Sequence, residues 1–197
     1  MVEESGCRVS LPGSHASVVF SGPEVALPDM LAARERRVSC QRAMLAAAGP
    51  SEALLCLTLS IPGPVKTSAA LECVFDTLMC EAKAALADSL LLEERSLGGA
   101  TGQEYFALVG LPAEELKRRM VGIEETHPLG RLGDLDVLAR AGDTLRSVSR
   151  TELGFPPRAC LICGNEAKAC ARSRAHTVGE MQAEIARIID QGGYSQP

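Results

Sequence analysis

Apolar and polar positions along this chain follow two rhythms, and the switches between them mark its elements. From Pro28-Asp29 to about Ala48, Leu31, Val38, Met44 and Leu45 recur at helical spacing, and Gly49-Pro50 stops the run. Ala53 to Ile61 (ALLCLTLSI) is a short apolar run closed by Pro62-Gly63-Pro64, the pattern of a buried strand. Thr67 and Ser68 are N-cap residues for a long helix to about Leu91. Its inward face runs through Leu71, Val74, Phe75, Leu78 and Met79. Gly98-Gly99-Ala100-Thr101-Gly102 reads as a connector, because it lacks the Gly-Lys-Ser/Thr ending of a phosphate-binding Walker loop. Tyr105 to Leu111 is a second strand, and Pro112 opens a helix with Leu116 and Met120 inward. Asp134 to Leu138 is a third strand, which Ala141-Gly142-Asp143-Thr144 turns back into Leu145–Ser149 as a hairpin. The helical period returns from Thr177 to Asp190, with Val178, Met181, Ile185, Ile188 and Ile189 inward. Thr177 and Glu180 form a capping box there, and Gly192-Gly193 ends the run.

Strands and helices alternate without an internal repeat, which predicts a mixed α/β (α+β) domain. Residues 1–27 lack a period and read as a weakly ordered segment. Residues 28–190 read as one domain that includes a Cys-rich element at 156–176, and 191–197 as a tail. A length of 197 residues and a hydrophobic fraction of 46% suffice for one core. That core is aliphatic, since aromatics make up 3% and Trp is absent. A net charge of -5 makes the chain a poor non-specific partner for nucleic acid, and few aromatics are available for base stacking. No apolar run reaches the ~20 residues that span a bilayer. Glu3 and Glu4 stand where a secretory signal would be basic, so the expectation is a cytoplasmic protein without a membrane partner. Its eight cysteines then read as thiols or metal ligands rather than disulfides. Cys40, Cys56, Cys73 and Cys80 sit in apolar segments and read as core packing.

Two constellations carry chemistry. In the segment His127-Pro-Leu-Gly-Arg131-Leu-Gly-Asp134-Leu-Asp136-Val-Leu138, strand alternation sends Asp134 and Asp136 to one face and Leu135 and Val137 to the other. Paired carboxylates repel unless a cation lies between them, and Mg²⁺ takes one or two carboxylates together with substrate phosphate. Arg131 is a phosphate candidate by its bidentate fork. Glu124, Asp143 and Glu152 are candidates for a third carboxylate. The segment is somewhat similar to the Gly-and-Asp-x-Asp element of polymerase β-type nucleotidyltransferases, with Gly130-Arg131 where that family has Gly-Ser or Gly-Gly. The plain alternative is two exposed aspartates on an edge hairpin.

The second constellation is Cys160-x2-Cys163-x6-Cys170-x5-His176. Its residue types and spacing suit a tetrahedral Cys3His zinc site. Ordinary thiols and a redox pair are the competing readings, although Pro157 and Gly164 do not provide the strand-to-helix setting of a thioredoxin motif. Around it, Arg150, Arg158, Lys168, Arg172 and Arg174 outnumber Glu152 and Glu166, giving a basic stretch suited to phosphates or an acidic partner.

Together, residues 127–138, Pro156-Pro-Arg158-Ala-Cys160-Leu-Ile-Cys163, and Cys170, Ala171, Arg172 and His176 resemble the holo-citrate-lyase synthase family. The family is also called apo-citrate lyase phosphoribosyl-dephospho-CoA transferase. Weaker matches are Arg34-Glu35-Arg36 and Pro62-Gly63-Pro64-Val65-Lys66, so the likeness covers about residues 28–190. The resemblance implies transfer from 2′-(5″-triphosphoribosyl)-3′-dephospho-CoA to a serine of the apo-acyl carrier protein, the γ subunit of citrate lyase, with release of pyrophosphate. It implies Asp134 and Asp136 as Mg²⁺ ligands, with Arg131 and His127 beside them. Arg34, Arg36, Lys66, Arg158 and Arg172 would hold the donor. An equivalent transferase for another carrier, such as that of malonate decarboxylase, and a non-catalytic zinc module that docks a carrier remain alternatives at this point.

Overall fold

The computed structural model describes residues 16–142 and 144–192. Five strands, β1 (Ala53–Leu59), β2 (Leu91–Leu97), β3 (Glu104–Val109), β4 (Gly133–Ala141) and β5 (Thr144–Ser147), form one sheet in the order β2-β3-β1-β4-β5. Every pairing is antiparallel. The helices among the described residues are α1 (Ala16–Val19), α2 (Leu27–Leu45), α3 (Ala69–Ala84), α4 (Ala113–Thr126), α5 (Ala167–Ser173) and α6 (Val178–Gln191). The mixed α/β architecture is the one the sequence pattern implies.

The central strand β1 reads ALLCLTL and is buried on both faces along its first five residues. On one face Leu55 and Leu57 join Tyr105, Ala107, Leu135 and Val137 under α3, α4 and α6. Ser68 caps α3, accepting from Leu71 N at 3.2 Å, and its own hydroxyl donates to Val19 O of α1 at 2.6 Å. The Thr177–Glu180 capping box of α6 is present in both directions. Val19 is buried and Phe20 packs on the core, so residues 16–20 are better anchored than a weakly ordered segment would be; residues 1–15 lie outside the described set.

Among the described residues, α2 is the helix that covers the opposite face. Met44, Leu45 and Ala48 seat on Leu54, Cys56, Phe106 and Leu108. The N-terminal half of α2 has no such seat, and Leu31, expected inward, is exposed. Beyond the apolar patch this sheet face turns polar. Cross-strand pairing sets Asp136 beside Cys56 and Asp134 beside Thr58.

The long helix predicted to about Leu91 stops at Ala84, and β2 follows as an edge strand. Its LLEERSL sequence shows no alternation, and its charges keep an exposed edge from pairing with other chains. A tight approach brings the Gly130–Leu132 3-10 turn against α4. A Cβ on Gly130 would lie 2.1 Å from Ile123 O, so only glycine fits where the chain enters β4.

Candidate functional site

Asp134 and Asp136 share the polar end of the α2 face, at the floor of a cleft with two lobes. One lobe of about 260 Å³ lies between Arg37, Thr58, Lys66, Gln103 and Asp134. The other, about 340 Å³, lies between Lys117, Glu124, Asp136, Arg158 and Lys168, and Asp134 borders both. Odd-numbered residues of β4 have their backbone groups on the strand's other edge. Where β5 has ended, Lys117 Nζ donates to Leu135 O at 2.8 Å and Leu135 N donates to Glu124 Oε1 at 3.4 Å. Two side chains of α4 thus complete the ladder and place a buried cation and anion beside the aspartates.

The electrostatics suit a cation between the two carboxylates. Solvent reaches Asp136, yet the cleft walls desolvate its carboxylate and raise its pKa. Repulsion from Asp134 and Glu124 adds to the rise, and Lys117 and Arg37 oppose it. Arg158 lies 3.6 Å from Asp134, too long for a tight pair. Two carboxylates on one sheet face, incompletely neutralised by protein cations, fit the oxygen-rich donor set that Mg²⁺ prefers.

Arg37, the last residue of the charged run Arg34-Glu35-Arg36-Arg37 and not one of the expected donor contacts, is the α2 arginine in the cleft. Its Nη2 and Nε bond Glu104 Oε1 at 2.6 and 3.0 Å, leaving buried Glu104 Oε2 without a partner. Arg34 and Arg36 are exposed and border neither lobe. The signal for Arg37 was its helical phase: it lies seven residues before Met44, on the same α2 face. Lys66 lines the cleft, with Nζ 2.5 Å from Ile61 O and its pKa lowered by burial.

Other predicted residues stand elsewhere. Arg131 Nη2 donates to Ala159 O and Cys160 O at 2.9 and 3.0 Å, so it braces the Cys-rich element instead of entering the cleft. His127 caps the end of α4, and its Nδ1 accepts from Leu129 N at 3.1 Å; it borders neither lobe. Arg172 pairs loosely with Glu166 at 3.9 Å, outside both lobes. Among the third-carboxylate candidates, Glu124 lines the cleft, and Glu152 is taken by Arg146 at 2.7 Å. Asp143 lies outside the described residues.

Cys160, Cys163, Cys170 and His176 converge. One ligand atom from each lies within 4.8 Å of all the others. Cys163 Sγ is 3.5 Å from Cys170 Sγ and 3.3 Å from His176 Nε2. Sulfurs around a tetrahedral zinc sit ~3.8 Å apart, so the residues fit a metal of that size. The local chain explains the approach. Cys160 N donates to Asn165 O at 2.5 Å, and Gly164 takes φ 72° to turn the chain back after the first two cysteines. Helix α5 then delivers Cys170, and the left-handed Arg174 with the Thr177 cap brings back His176. Hydrogen bonds from Asn165, His176 and Cys170 pull the Cys163 thiol down to about 6, while Cys170, sharing its proton with Cys163, is pushed up to about 11. In contrast, burial raises Cys56 to about 12, which marks it as packing.

A family model described as apo-citrate lyase phosphoribosyl-dephospho-CoA transferase matches residues 25–192. A protein of Streptococcus pyogenes serotype M3, named probable apo-citrate lyase phosphoribosyl-dephospho-CoA transferase, is 45% identical over 170 residues, covering 86% of this chain and 88% of the relative. The apo-citrate lyase phosphoribosyl-dephospho-CoA transferase of Escherichia coli O6:K15:H31 is 35% identical over 168 residues, 84% and 89% of the two chains. Protein CitXG of Leuconostoc mesenteroides subsp. cremoris is 34% identical over 169 residues, covering 85% of this chain and 36% of that longer protein. The chain belongs to the apo-citrate lyase phosphoribosyl-dephospho-CoA transferase family.

Proposed function

We propose that this protein is a nucleotidyltransferase that moves the phosphoribosyl-dephospho-CoA group of 2′-(5″-triphosphoribosyl)-3′-dephospho-CoA onto a serine of the citrate lyase acyl carrier protein. The observation that carries this reading is the pair Asp134 and Asp136 on one face of β4, in a cleft bordered by Arg37, Lys66, Lys117 and Arg158. The serine Oγ forms a bond to the phosphorus nearest the ribose. The bond from that phosphorus to the bridging oxygen breaks, pyrophosphate leaves, and the hydroxyl proton is taken up by water in the open cleft. Mg²⁺ held by Asp134 and Asp136 would supply charge neutralisation for the triphosphate and its leaving group. Lys66 and Arg37 bind the phosphates from the α2 side, and Arg158 binds them from the opposite lip. Lys117 and Glu124 hold β4 in place, so the carboxylates meet the phosphorus without rearrangement. Cys160, Cys163, Cys170 and His176 would hold a structural zinc that shapes the chain around Arg158. The reduced thiols this requires fit a cytoplasmic setting.

The test is incubation with apo-carrier, the triphosphoribosyl donor and Mg²⁺, read by intact mass. The expected result is a mass gain on the carrier equal to the prosthetic group, abolished by EDTA and in Asp134→Asn. No gain on citrate lyase carrier from folded protein and intact donor overturns the reading.

A further inference from the structure

Among the described residues, the largest cavity bordering the site has no part in the reaction steps above. It measures about 780 Å³ and opens between the Ser60–Pro62 segment, the Cys-rich element and the first turn of α6. That volume lies in the range of pockets that take small organic ligands.

Its walls have two characters. The apolar side comes from Ile61, Leu161, Ala171, Val178 and Met181. Val178 and Met181 continue the apolar stripe of α6 that Ile185 and Ile189 bury in the core, but they extend past the sheet and meet the cavity instead. Val178 remains 49% exposed. The polar side is of one sign. Arg131, Arg158, Lys168 and Arg174 line the cavity, and no described Asp or Glu does. In a chain of net charge -5 this local excess selects an anion with a large apolar body.

The cavity is continuous with the aspartate cleft. Arg158 and Lys168 line both, and Ser60 and Ile61 border the cavity and the Lys66 lobe. A ligand seated here therefore passes its phosphates over Arg158 toward Asp134.

Resting on the reaction proposed above, we infer that this cavity holds the dephospho-CoA body of the donor, the adenine and pantetheine against α5 and α6 and the diphosphate at Lys168 and Arg174. The reacting phosphorus is covalently tied to that body through one ribose, so the body must lie close to Asp134, and this is the adjoining cavity. The carrier has to bring only one serine side chain into the cleft and needs no deep pocket. On α5, Ala167, Lys168 and Ala171 face the cavity at helical spacing, and Cys160, Cys170 and His176 form its back wall.

Two variants test this. Ala171→Phe fills the cavity from an exposed position, and Arg174→Glu reverses an exposed cation at its lip that borders neither lobe of the cleft. Dephospho-CoA itself, without the triphosphate, is the binding probe in calorimetry, and steady-state transfer supplies the kinetics. The expected result is dephospho-CoA binding to the wild type, weakened about tenfold or more in both variants. The donor KM should rise in parallel, with kcat held within about threefold and carrier KM unchanged. Unchanged dephospho-CoA affinity and donor KM in Ala171→Phe overturns the assignment, and a rise in carrier KM alone overturns it and makes the cavity a carrier-docking surface. Transfer by the wild type with no effect of either variant rejects the cavity alone. Failure of the wild type to transfer, with dephospho-CoA still bound and that binding lost in Ala171→Phe, rejects the reaction while the cavity assignment stands.

Discussion

The aspartate cleft and the Cys/His cluster lie on either side of Arg158 and are built in opposite ways. Asp134 and Asp136 are held by a strand paired with β1 on one edge and braced by Lys117 and Glu124 on the other. Their positions follow from the ladder whether or not a cation is present. The Cys/His cluster sits on tight turns and a seven-residue helix, and no residue of α5 is buried. Arg131 ties it to the rest of the fold through two carbonyl contacts. A carboxylate pair on a scaffold can exchange its cation at every turnover. A cluster with little core of its own would draw its shape from the metal proposed for it.

That contrast can be broken from either side. The largest effect is expected from Asp134→Asn or Asp136→Asn, with transfer lower by about a thousandfold and the fold intact. Asp136 has a raised pKa in the fold, so the native state disfavours its ionised form. The stability associated with it is present below the unfolded pKa and is lost as pH rises through the raised one. Metal-free Asp136→Asn should therefore melt at or above the wild-type temperature at neutral pH. A large drop in Tm would make the pair structural. Arg37→Met comes next, because it leaves Glu104 buried without its partner, at a cost of about 2–3 kcal/mol in denaturant unfolding. Adding Glu104→Gln should restore part of that loss, and no recovery would show that Arg37 is not acting through Glu104.

Loss of the zinc proposed for this cluster, by chelation or Cys163→Ser, should act locally. Hydrogen-exchange protection should vanish over residues 158–176 and persist in β1, β3 and β4, and donor KM should rise more than kcat falls. Equal loss of protection across the sheet would contradict the contrast between scaffolded cleft and metal-dependent cluster. The smallest effect is expected from Thr177→Ala, which removes the α6 capping box and should cost about 1 kcal/mol without altering kcat.

Much of this was legible from residue order. The β1 run, the Ser68 and Thr177 caps, the shared face of Asp134 and Asp136 and the Cys-x2-Cys spacing all express local rules of period and capping. β2 was not legible. Its leucines and charges have helical propensity and lack alternation, and only the ladder to β3 makes it a strand. Arg37 was hidden for a related reason: among several arginines in one charged run, choosing the one over the sheet requires knowing which end of α2 is seated. Arg131 and His127 sit in the motif but turn to backbone partners, and motif membership does not reveal that.

What residue order determined by itself is most of the elements and the two candidate ligand sets, because periodicity, capping and metal-ligand spacing act within a few residues of chain. What only the tertiary structure decided is which cations face the aspartates, and that the α6 stripe runs past the core into a cavity joined to the cleft through Arg158 and Lys168. Those relations join α2, β4, the Cys-rich element and α6. They depend on how helices seat on a sheet, a non-local packing outcome that no short window of sequence contains.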